Sequence, residues 1–228
     1  MIEFQNIGKS YGKDVVALIE INVRIDKGEF VFVVGPSGAG KSTFIKLLLH
    51  EERATEGKIF MNNEEITHVS SRKIPLLRRS IGVIFQDFRL LPNKTVYENV
   101  AFAMEIVEAK KREIRRQVPM VLGLVGLSDK AKKYPRELSG GEMQRVSIAR
   151  SIVNNPSLVI ADEPTGNLDP DTAWEIMRVL QHINQRGTTV IMATHAKDIV
   201  DVMKKRVIAI EKGRIIRDDR KGVYGYED

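Results

Sequence analysis

A glycine-rich segment near the amino end of this 228-residue chain constrains its fold more than any other feature. The pattern G-x-x-x-x-G-K-[ST] is matched by Gly35, Pro36, Ser37, Gly38, Ala39, Gly40, Lys41 and Ser42, and Thr43 follows it. The apolar run Phe30–Val34 before them predicts a buried strand, and Phe44–Leu49 after them predicts a helix. In that context successive backbone N–H groups converge on one point and cradle phosphates. We therefore expect a nucleoside triphosphate site, in which Lys41 reaches the β- and γ-phosphates and Ser42 ligates Mg²⁺.

Composition narrows the class of protein. Hydrophobic residues make up 43% of the chain and charged residues 29%, which is typical of a globular protein. No apolar run approaches the roughly 18–20 residues of a membrane helix, and the first residues lack the pattern of a secretory signal. The chain has no cysteine, which excludes disulfides and thiolate chemistry and fits a cytoplasmic location.

The net charge of +6 raises the question of an anionic partner. Much of the basic excess lies in 110–116 and 130–133, and such runs fit a solvated helix face, a surface near a membrane or an acidic partner. Aromatic residues are only 6% of the chain and are absent from both runs. Because single-stranded nucleic acid is bound by stacking on aromatic rings, we expect no specific nucleic-acid site.

Hydrophobic periodicity predicts a mixed α/β fold. Alternating apolar and polar residues over 19–25 indicate an antiparallel strand with one wet face, whereas helical spacing dominates from Thr95 to about Asn155. Apolar strands at 158–161 and 188–193 flank a helix at 171–185, which predicts a parallel sheet covered by helices. The tail, 222–228, is expected to be loosely attached.

Acidic and polar side chains follow the predicted core strands. Asp162 and Glu163 end one strand, and ligands bind at the carboxyl edge of a parallel sheet. We expect Asp162 to hold Mg²⁺, and Glu163 to orient the water that attacks the γ-phosphate or accept its proton. The alternative is a pair of exposed turn carboxylates before Pro164.

Two further polar residues occupy equivalent strand ends. His195 is placed to donate to the γ-phosphate or to hold the attacking water, although a lone histidine after a strand is more often structural. Gln86 offers an uncharged amide that can meet Mg²⁺ or water. Together with the carboxylates they predict a catalytic group of Glu163, His195 and Gln86, with Ser42, Gln86 and Asp162 as metal ligands.

Residues Ser139, Gly140, Gly141 and Glu142 open a second predicted helix. Ser139 as N-cap and Glu142 three residues later form a capping box, which explains the pair without any ligand. A cap does not require two glycines, which lower helix stability. Two residues without side chains at a helix start also let another backbone or a phosphate come close, so a second anion site is the other interpretation.

These motifs, in this order and spacing, resemble the ATP-binding cassette (ABC) ATPases over essentially the whole chain. The segments that carry the resemblance are Gly35–Ser42, Gln86, Leu138–Glu142, Leu158–Glu163 and His195. The resemblance implies one domain over 1–228, built on a RecA-like P-loop NTPase core. Residues of about 1–90 and 156–228 would form that core with an antiparallel β subdomain, and about 91–155 an α-helical subdomain.

The family resemblance also implies an ATP-dependent head-to-tail homodimer with two ATP molecules between protomers. Ser139 and Gly141 would then contact the γ-phosphate held by the other protomer. Tyr11 matches the aromatic residue that stacks on adenine. Asp169 matches the loop that crosses the dimer seam, and it is also a plain N-cap before Pro170. Glu142 departs from the family, which more often has glutamine there.

Within the family, Pro164–Asp169 resembles the lipoprotein-releasing, macrolide-export and cell-division groups. Leu77–Pro92 and Thr95–Glu105 look most like the cell-division members. That likeness implies a peripheral ATPase at the cytoplasmic face of the membrane, whose integral membrane partner controls cell-wall hydrolases. The alternative is the ATPase of a lipoprotein-releasing or macrolide-type exporter. A guanine-nucleotide enzyme is disfavoured because Asn93–Val96 lacks the aspartate of N-K-x-D.

Overall fold

The computed structural model describes residues 1–12 and 14–225, and the chain divides into two compact units. The first unit contains 1–78 and 189–228, and the second contains 79–188. The strands are β1 (Ile2–Tyr11), β2 (Val15–Ile25), β3 (Phe30–Val34), β4 (Glu56–Met61), β5 (Glu64–Glu65), β6 (Ile81–Ile84), β7 (Leu158–Asp162), β8 (Thr189–Ala193), β9 (Arg206–Glu211) and β10 (Arg214–Asp219). The helices are α1 (Lys41–Leu48), α2 (Ile74–Arg79), α3 (Val96–Ile106), α4 (Lys111–Leu124), α5 (Gly140–Ile152), α6 (Pro170–Gln185) and α7 (Lys197–Met203).

An antiparallel sheet of order β2-β1-β4-β5 forms one part of the first unit. The predicted strand over 19–25 is confirmed within β2, where Ile21, Val23 and Ile25 are buried and the residues between them are exposed. Asn62 and Asn63 turn the β4–β5 hairpin with φ of 52° and 67°, the left-handed values that such a two-residue turn requires.

The other strands of the first unit run side by side in the order β10-β9-β3-β8. β3 pairs in parallel with both β8 and β9, and all its residues are buried, which explains its unbroken apolar sequence. The Phe4 and Phe44 rings stack with centroids 4.6 Å apart, so α1 and β1 share one core.

The carboxyl-terminal tail is attached in the part that the structure describes. The Gly222 N–H donates to the Lys205 carbonyl at 3.0 Å, and the Tyr224 N–H donates to Asp201 Oδ1 at 2.6 Å. The prediction of a loose tail is therefore wrong for 222–224. Residues 226–228 lie outside the described residues.

The second unit combines a parallel strand pair with a helical layer. β6 pairs with β7, and α3, α4 and α5 pack on one another around residues such as Val100, Val118 and Val146, all fully buried. The predicted helical region is confirmed by these three helices. The proposed helical subdomain, 91–155, lies within this unit, and its limits remain a prediction. Within the described ranges, no helix has the length and apolar character needed to cross a membrane.

Candidate functional site

The backbone of the glycine-rich loop adopts a conformation that requires glycine at two positions. Gly35 and Gly40 have φ of 145° and 115°. A β-carbon at Gly35 would collide with the Ile210 carbonyl oxygen, and one at Gly40 would lie 2.7 Å from the Ala17 carbonyl oxygen. Both glycines are therefore required by conformation and by close packing. The loop between them exposes Pro36, Ser37 and Gly38 and buries Ala39.

Helix α1 begins at this loop without a side-chain cap. Its N-cap is Gly40, which offers no side-chain acceptor, and its first turn contains no acidic residue. The first N–H groups of a helix need acceptors, and the positive end of the helix dipole favours an anion. The start of α1 is thus a site whose chemistry suits phosphate.

Lys41 lies against the loop that precedes it. Its Nζ donates to the Gly35 carbonyl at 2.7 Å and to the Pro36 carbonyl at 3.0 Å, and it lies 3.1 Å from His195 Nε2. The side chain is buried, with 7% of its surface exposed. The structure therefore brings together Lys41 and His195. The sequence had predicted both in one site, although they follow different strands.

Tyr11 also lies beside α1. Its Oη is 3.5 Å from Thr43 Oγ1, and the Lys9 ammonium lies 4.6 Å from the centre of its ring. The ring is half-buried, and Ser42 next to Thr43 is exposed. This position at the edge of the loop fits the expected stacking surface for a nucleotide base.

In the second unit, the turn after β7 carries the two predicted carboxylates. β7 ends at Asp162, and Glu163 follows with φ of 47°, an uncommon conformation for a residue other than glycine. The Gly166 N–H donates to the Glu163 carbonyl at 3.1 Å. The buried Gln144 of α5 donates from Nε2 to the Pro164 carbonyl at 2.6 Å, so α5 fixes this turn.

Gln86 follows β6 and contacts the same turn. Its Nε2 donates to Asn167 Oδ1 at 3.3 Å, and Asn167 Nδ2 donates to the Gln86 carbonyl at 3.4 Å. The structure thus brings Gln86 next to the segment that follows Glu163. With the amide nitrogen used in this way, Oε1 is the atom that Gln86 offers to a ligand.

Arg150 supports the Gln86 loop and was missed by sequence reasoning. From α5 its guanidinium donates to the Phe88 carbonyl at 2.8 Å and to the Arg89 carbonyl at 2.6 Å. Phe88 and Arg89 have φ of 57° and 49°, so the arginine stabilises two consecutive left-handed residues. Burial lowers the pKa of Arg150. The only sequence signal for this role of Arg150 was a basic residue on a helix predicted to be packed.

The start of α5 is capped by its own side chains. Ser139 Oγ accepts from the Glu142 N–H at 3.3 Å, and Glu142 Oε2 accepts from the Ser139 N–H at 2.8 Å. The Ser139 N–H and the Lys130 ammonium, 3.6 Å away, hold the pKa of Glu142 below its usual range despite some desolvation. The capping box is therefore confirmed, and Glu142 carries a negative charge at neutral pH.

The glycines of α5 face the segment that leads into α6. A β-carbon at Gly141 would collide with Thr172 Cγ2, and one at Gly140 would touch Leu168. Asp169 Oδ1 accepts from the Thr172 N–H at 3.0 Å, which confirms its reading as the N-cap of α6. Packing against Thr172 thus favours glycine at position 141, independently of any phosphate.

The predicted site residues are divided between the two units. The first unit contains Tyr11, Gly35–Thr43 and His195, and the second contains Gln86, Ser139–Glu142, Asp162, Glu163 and Asp169. Each unit therefore has a local cluster of its own: a phosphate loop with a lysine and a histidine, and a polar turn fixed by α5.

Comparison with known proteins agrees with the family resemblance that these site residues carry. Residues 18–166 match the family described as ABC transporter. The chain is 59% identical over 228 residues to the cell division ATP-binding protein FtsE of Bacillus subtilis (strain 168), covering 100% of both proteins. It is 53% identical over 228 residues to FtsE of Streptococcus pneumoniae serotype 2 (strain D39 / NCTC 7466), covering 100% of this chain and 99% of that protein.

A solved structure shares the fold. The ATP-binding cassette MJ0796, a dimer in a post-hydrolysis state bound to ADP and Pi, matches with a TM-score of 0.87 at 33% identity. The match covers 99% of this chain and 100% of that one. The expected P-loop NTPase fold is confirmed, and the export alternative is not favoured by the relatives. The chain belongs to the ABC transporter family, as an ATP-binding cassette that hydrolyses ATP.

Proposed function

We propose that this chain is the ATPase subunit of an FtsE–FtsX-type complex in cell division. ATP closes a head-to-tail homodimer, and hydrolysis opens it. The movement acts on an integral membrane partner of the FtsX type that controls cell-wall hydrolases. The chain itself is peripheral, at the cytoplasmic face of the membrane, and contacts the membrane through that partner. The observation that carries the proposal is the full-length identity of 59% to a protein named FtsE.

The phosphate loop binds ATP in this proposal. Lys41 exchanges its two loop carbonyls for phosphate oxygens, which are stronger acceptors because they are charged. The uncapped N-terminus of α1 accepts the remaining phosphate charge, and the Tyr11 ring stacks on adenine. The open geometry of α1, with no competing carboxylate in its first turn, supports this assignment.

Hydrolysis uses Glu163 and Gln86 of the second unit and His195 of the first. Glu163 accepts a proton from water as the water oxygen bonds to the γ-phosphorus. The bond from that phosphorus to the oxygen bridging to the β-phosphate breaks, which releases ADP and phosphate. His195 holds the γ-phosphate or the water, and Gln86 senses the occupied site. A side-chain proton acceptor typically contributes a factor of about 10² to 10⁴ in rate.

The residues present fit a bound Mg²⁺. The hydroxyl of Ser42, the carboxylate of Asp162 and Oε1 of Gln86 are hard oxygen donors, the kind that Mg²⁺ prefers. In the described ranges, no group of three or more His, Cys, Asp or Glu is arranged as a metal cage. Mg²⁺ usually takes one or two protein ligands and completes its shell with phosphate oxygens and water. When bound, it neutralises charge on the phosphates.

In this proposal the second cluster forms part of the dimer interface. Ser139 and Gly141 would face the γ-phosphate held by the partner subunit, with Gly140 and Glu142 in the same motif and Asp169 at the seam. The dimeric state of the MJ0796 cassette supports dimerisation of this chain. The exposed Ser139–Glu142 hydrogen bonds show that this helix start lies at the protein surface.

Co-purification tests the proposal. The variant Glu163→Gln should bind ATP and dimerise, and its hydrolysis should fall about 100-fold or more because the proton acceptor is lost. Extracted from native membranes with ATP, it should retain an integral membrane protein with few spans and an extracellular domain that binds a cell-wall hydrolase. Lys41→Ala is the matched control, since it should not retain that protein in an ATP-dependent way.

Two results would contradict parts of the proposal. Recovery of a lipoprotein- or drug-handling permease instead would move the function to export and leave the ATPase assignments intact. Hydrolysis by Glu163→Gln at the wild-type rate would remove Glu163 from its role as proton acceptor.

A further inference from the structure

The His195 ring is held between two side chains, one at each ring nitrogen. Nε2 lies 3.1 Å from Lys41 Nζ, and Nδ1 lies 3.4 Å from the hydroxyl oxygen of Tyr224. Tyr224 is in the carboxyl-terminal segment, which no motif of the sequence connects with the phosphate loop. It is therefore an unassigned group next to a residue of the proposed catalytic set.

The Tyr224 backbone is fixed by two other elements. Its N–H donates to Asp201 Oδ1 of α7 at 2.6 Å, and its carbonyl accepts from Arg217 Nη2 of β10 at 3.1 Å. Arg217 also donates to the Val223 carbonyl at 2.6 Å and pairs with Asp219 at 3.2 Å. Because these bonds use backbone atoms of Tyr224, its phenol group is presented by a frame that does not depend on the hydroxyl.

His195 benefits from such support because its side chain is exposed. It follows β8 and precedes α7, in a short connection where the Ala196 N–H donates to Thr194 Oγ1 at 3.0 Å. An exposed imidazole without a fixed partner samples several rotamers. If Lys41 turns to a phosphate when ATP binds, the phenol contact at Nδ1 remains and orients the ring.

Hydrogen-bond chemistry makes tyrosine suitable for both states of the ring. A lysine ammonium has only donors, so Nε2 accepts from Lys41, and the proton of the neutral ring is on Nδ1. That N–H donates to the Tyr224 oxygen. Donation from Nε2 to a phosphate requires the other tautomer, in which Nδ1 becomes an acceptor. The tyrosine hydroxyl can then donate to Nδ1, since it is both donor and acceptor.

We propose that Tyr224 is a positioning residue for ATP hydrolysis, which holds the His195 ring in place and supports either of its neutral tautomers. The proposal rests on the proposed role of His195 at the γ-phosphate. Tyr224 does not touch the nucleotide in this scheme and acts through the histidine alone.

The variant Tyr224→Phe tests it, because the ring and both backbone bonds remain and only the hydroxyl is lost. We expect kcat to fall about tenfold, with KM for ATP unchanged, since orientation rather than binding is affected. Tyr134→Phe, an exposed tyrosine of the second unit, is the matched control and should leave both constants unchanged. Equal thermal midpoints for the two variants establish that folding is intact.

Nitrogen-15 spectra of the histidine ring give a readout separate from activity. In the absence of ATP, the wild-type protein should show a slowly exchanging Nδ1–H signal for His195, and Tyr224→Phe should lose that protection. An unchanged signal, or an unchanged kcat beside an inactive His195→Ala variant, would overturn the proposal. If His195→Ala itself hydrolyses ATP normally, the proposed role of His195 is wrong, and the proposal for Tyr224 fails for that reason. In the double variant, Tyr224→Phe should cause no further loss beyond His195→Ala.

Discussion

Helices α1 and α5 both begin with glycines at a proposed phosphate contact, yet their first turns are built in opposite ways. α1 has Gly40 as its N-cap, with no side-chain bond and no acidic residue nearby. α5 has Ser139 as its N-cap, and its Glu142 carboxylate bonds back to the Ser139 N–H at 2.8 Å. The N–H groups at the start of α1 need an acceptor from outside the helix. At α5 the Ser139 and Glu142 side chains already accept some of these hydrogen bonds.

This difference shows why two similar motifs can differ in their free energy of binding an anion. At α1 the phosphate meets N–H groups and an ammonium, with no like charge to overcome. At α5 a phosphate would approach an ionised carboxylate, which is only partly neutralised by Lys130 at 3.6 Å. We therefore expect α1 to hold ATP by itself and α5 to bind only when the dimer brings it to an ATP already held.

Removing the charge at α1 should have the largest effect. Lys41→Ala should weaken ATP binding about 100-fold, because bonds to charged groups contribute about 1.5–3 kcal/mol each. Lys46→Ala, on the exposed face of the same helix, is the control and should bind normally. Titration calorimetry with ATP measures both. Unchanged affinity in Lys41→Ala would refute the phosphate-loop assignment.

A larger side chain at the start of α5 should have the second largest effect, on the free energy of unfolding. Gly141→Ala places a methyl group against Thr172 Cγ2, and such overpacking destabilises a core by about 1–3 kcal/mol. Thr172→Ser removes Cγ2 and keeps the hydroxyl, so the double variant should recover most of the loss. Urea unfolding without nucleotide compares the three proteins. If Gly141→Ala is as stable as the wild type, packing does not explain this glycine.

Cap removal separates the structural role of Ser139 from its proposed role at the dimer. Ser139→Ala and Thr95→Ala each remove the hydroxyl of a capping box, at α5 and at α3, and each should lose about 1 kcal/mol of unfolding free energy. Only Ser139→Ala should also reduce ATP-dependent dimerisation, measured by sedimentation. An equal reduction in Thr95→Ala would mean that stability, not contact with phosphate, controls the dimer.

Glu142→Gln should have the smallest effect on stability, about 0.5 kcal/mol, because the position is near solvent. The fold lowers the pKa of Glu142 below 4.5, so the carboxylate stabilises the protein at pH values above 4.5. This contribution is lost as pH falls through the lowered pKa. Urea unfolding from pH 7 to pH 3 should therefore show the variant less stable at neutral pH and equal at acidic pH.

The same change should have the opposite effect on assembly. Without the carboxylate, the anion site at α5 meets no like charge, so ATP-dependent dimerisation of Glu142→Gln should be tighter than in the wild type. Weaker dimerisation would indicate that the carboxylate, rather than its reach, is needed at the interface.

Much of the fold was readable from sequence because its signals are local. The run Phe30–Val34, the alternation over 19–25 and the helical spacing after Thr95 each match an observed element. Helices α2 and α7 were not predicted, since Ile74–Arg79 and Lys197–Met203 are too short for a clear periodicity. The loose-tail prediction failed at 222–224, because Asp201 and Lys205, which bind this segment, are distant in sequence.

The amino-acid sequence by itself determined the phosphate loop, the polar strand ends and the family, since order and spacing along one chain define those motifs. Tertiary structure alone decided which groups support them. Arg150 binds the carbonyl of Arg89, 61 positions away, Thr172 restricts Gly141, and Tyr224 reaches His195. The physical reason is that side chains remote in sequence meet only after packing, and a hydrogen bond or a close contact depends on position to within a few tenths of an ångström.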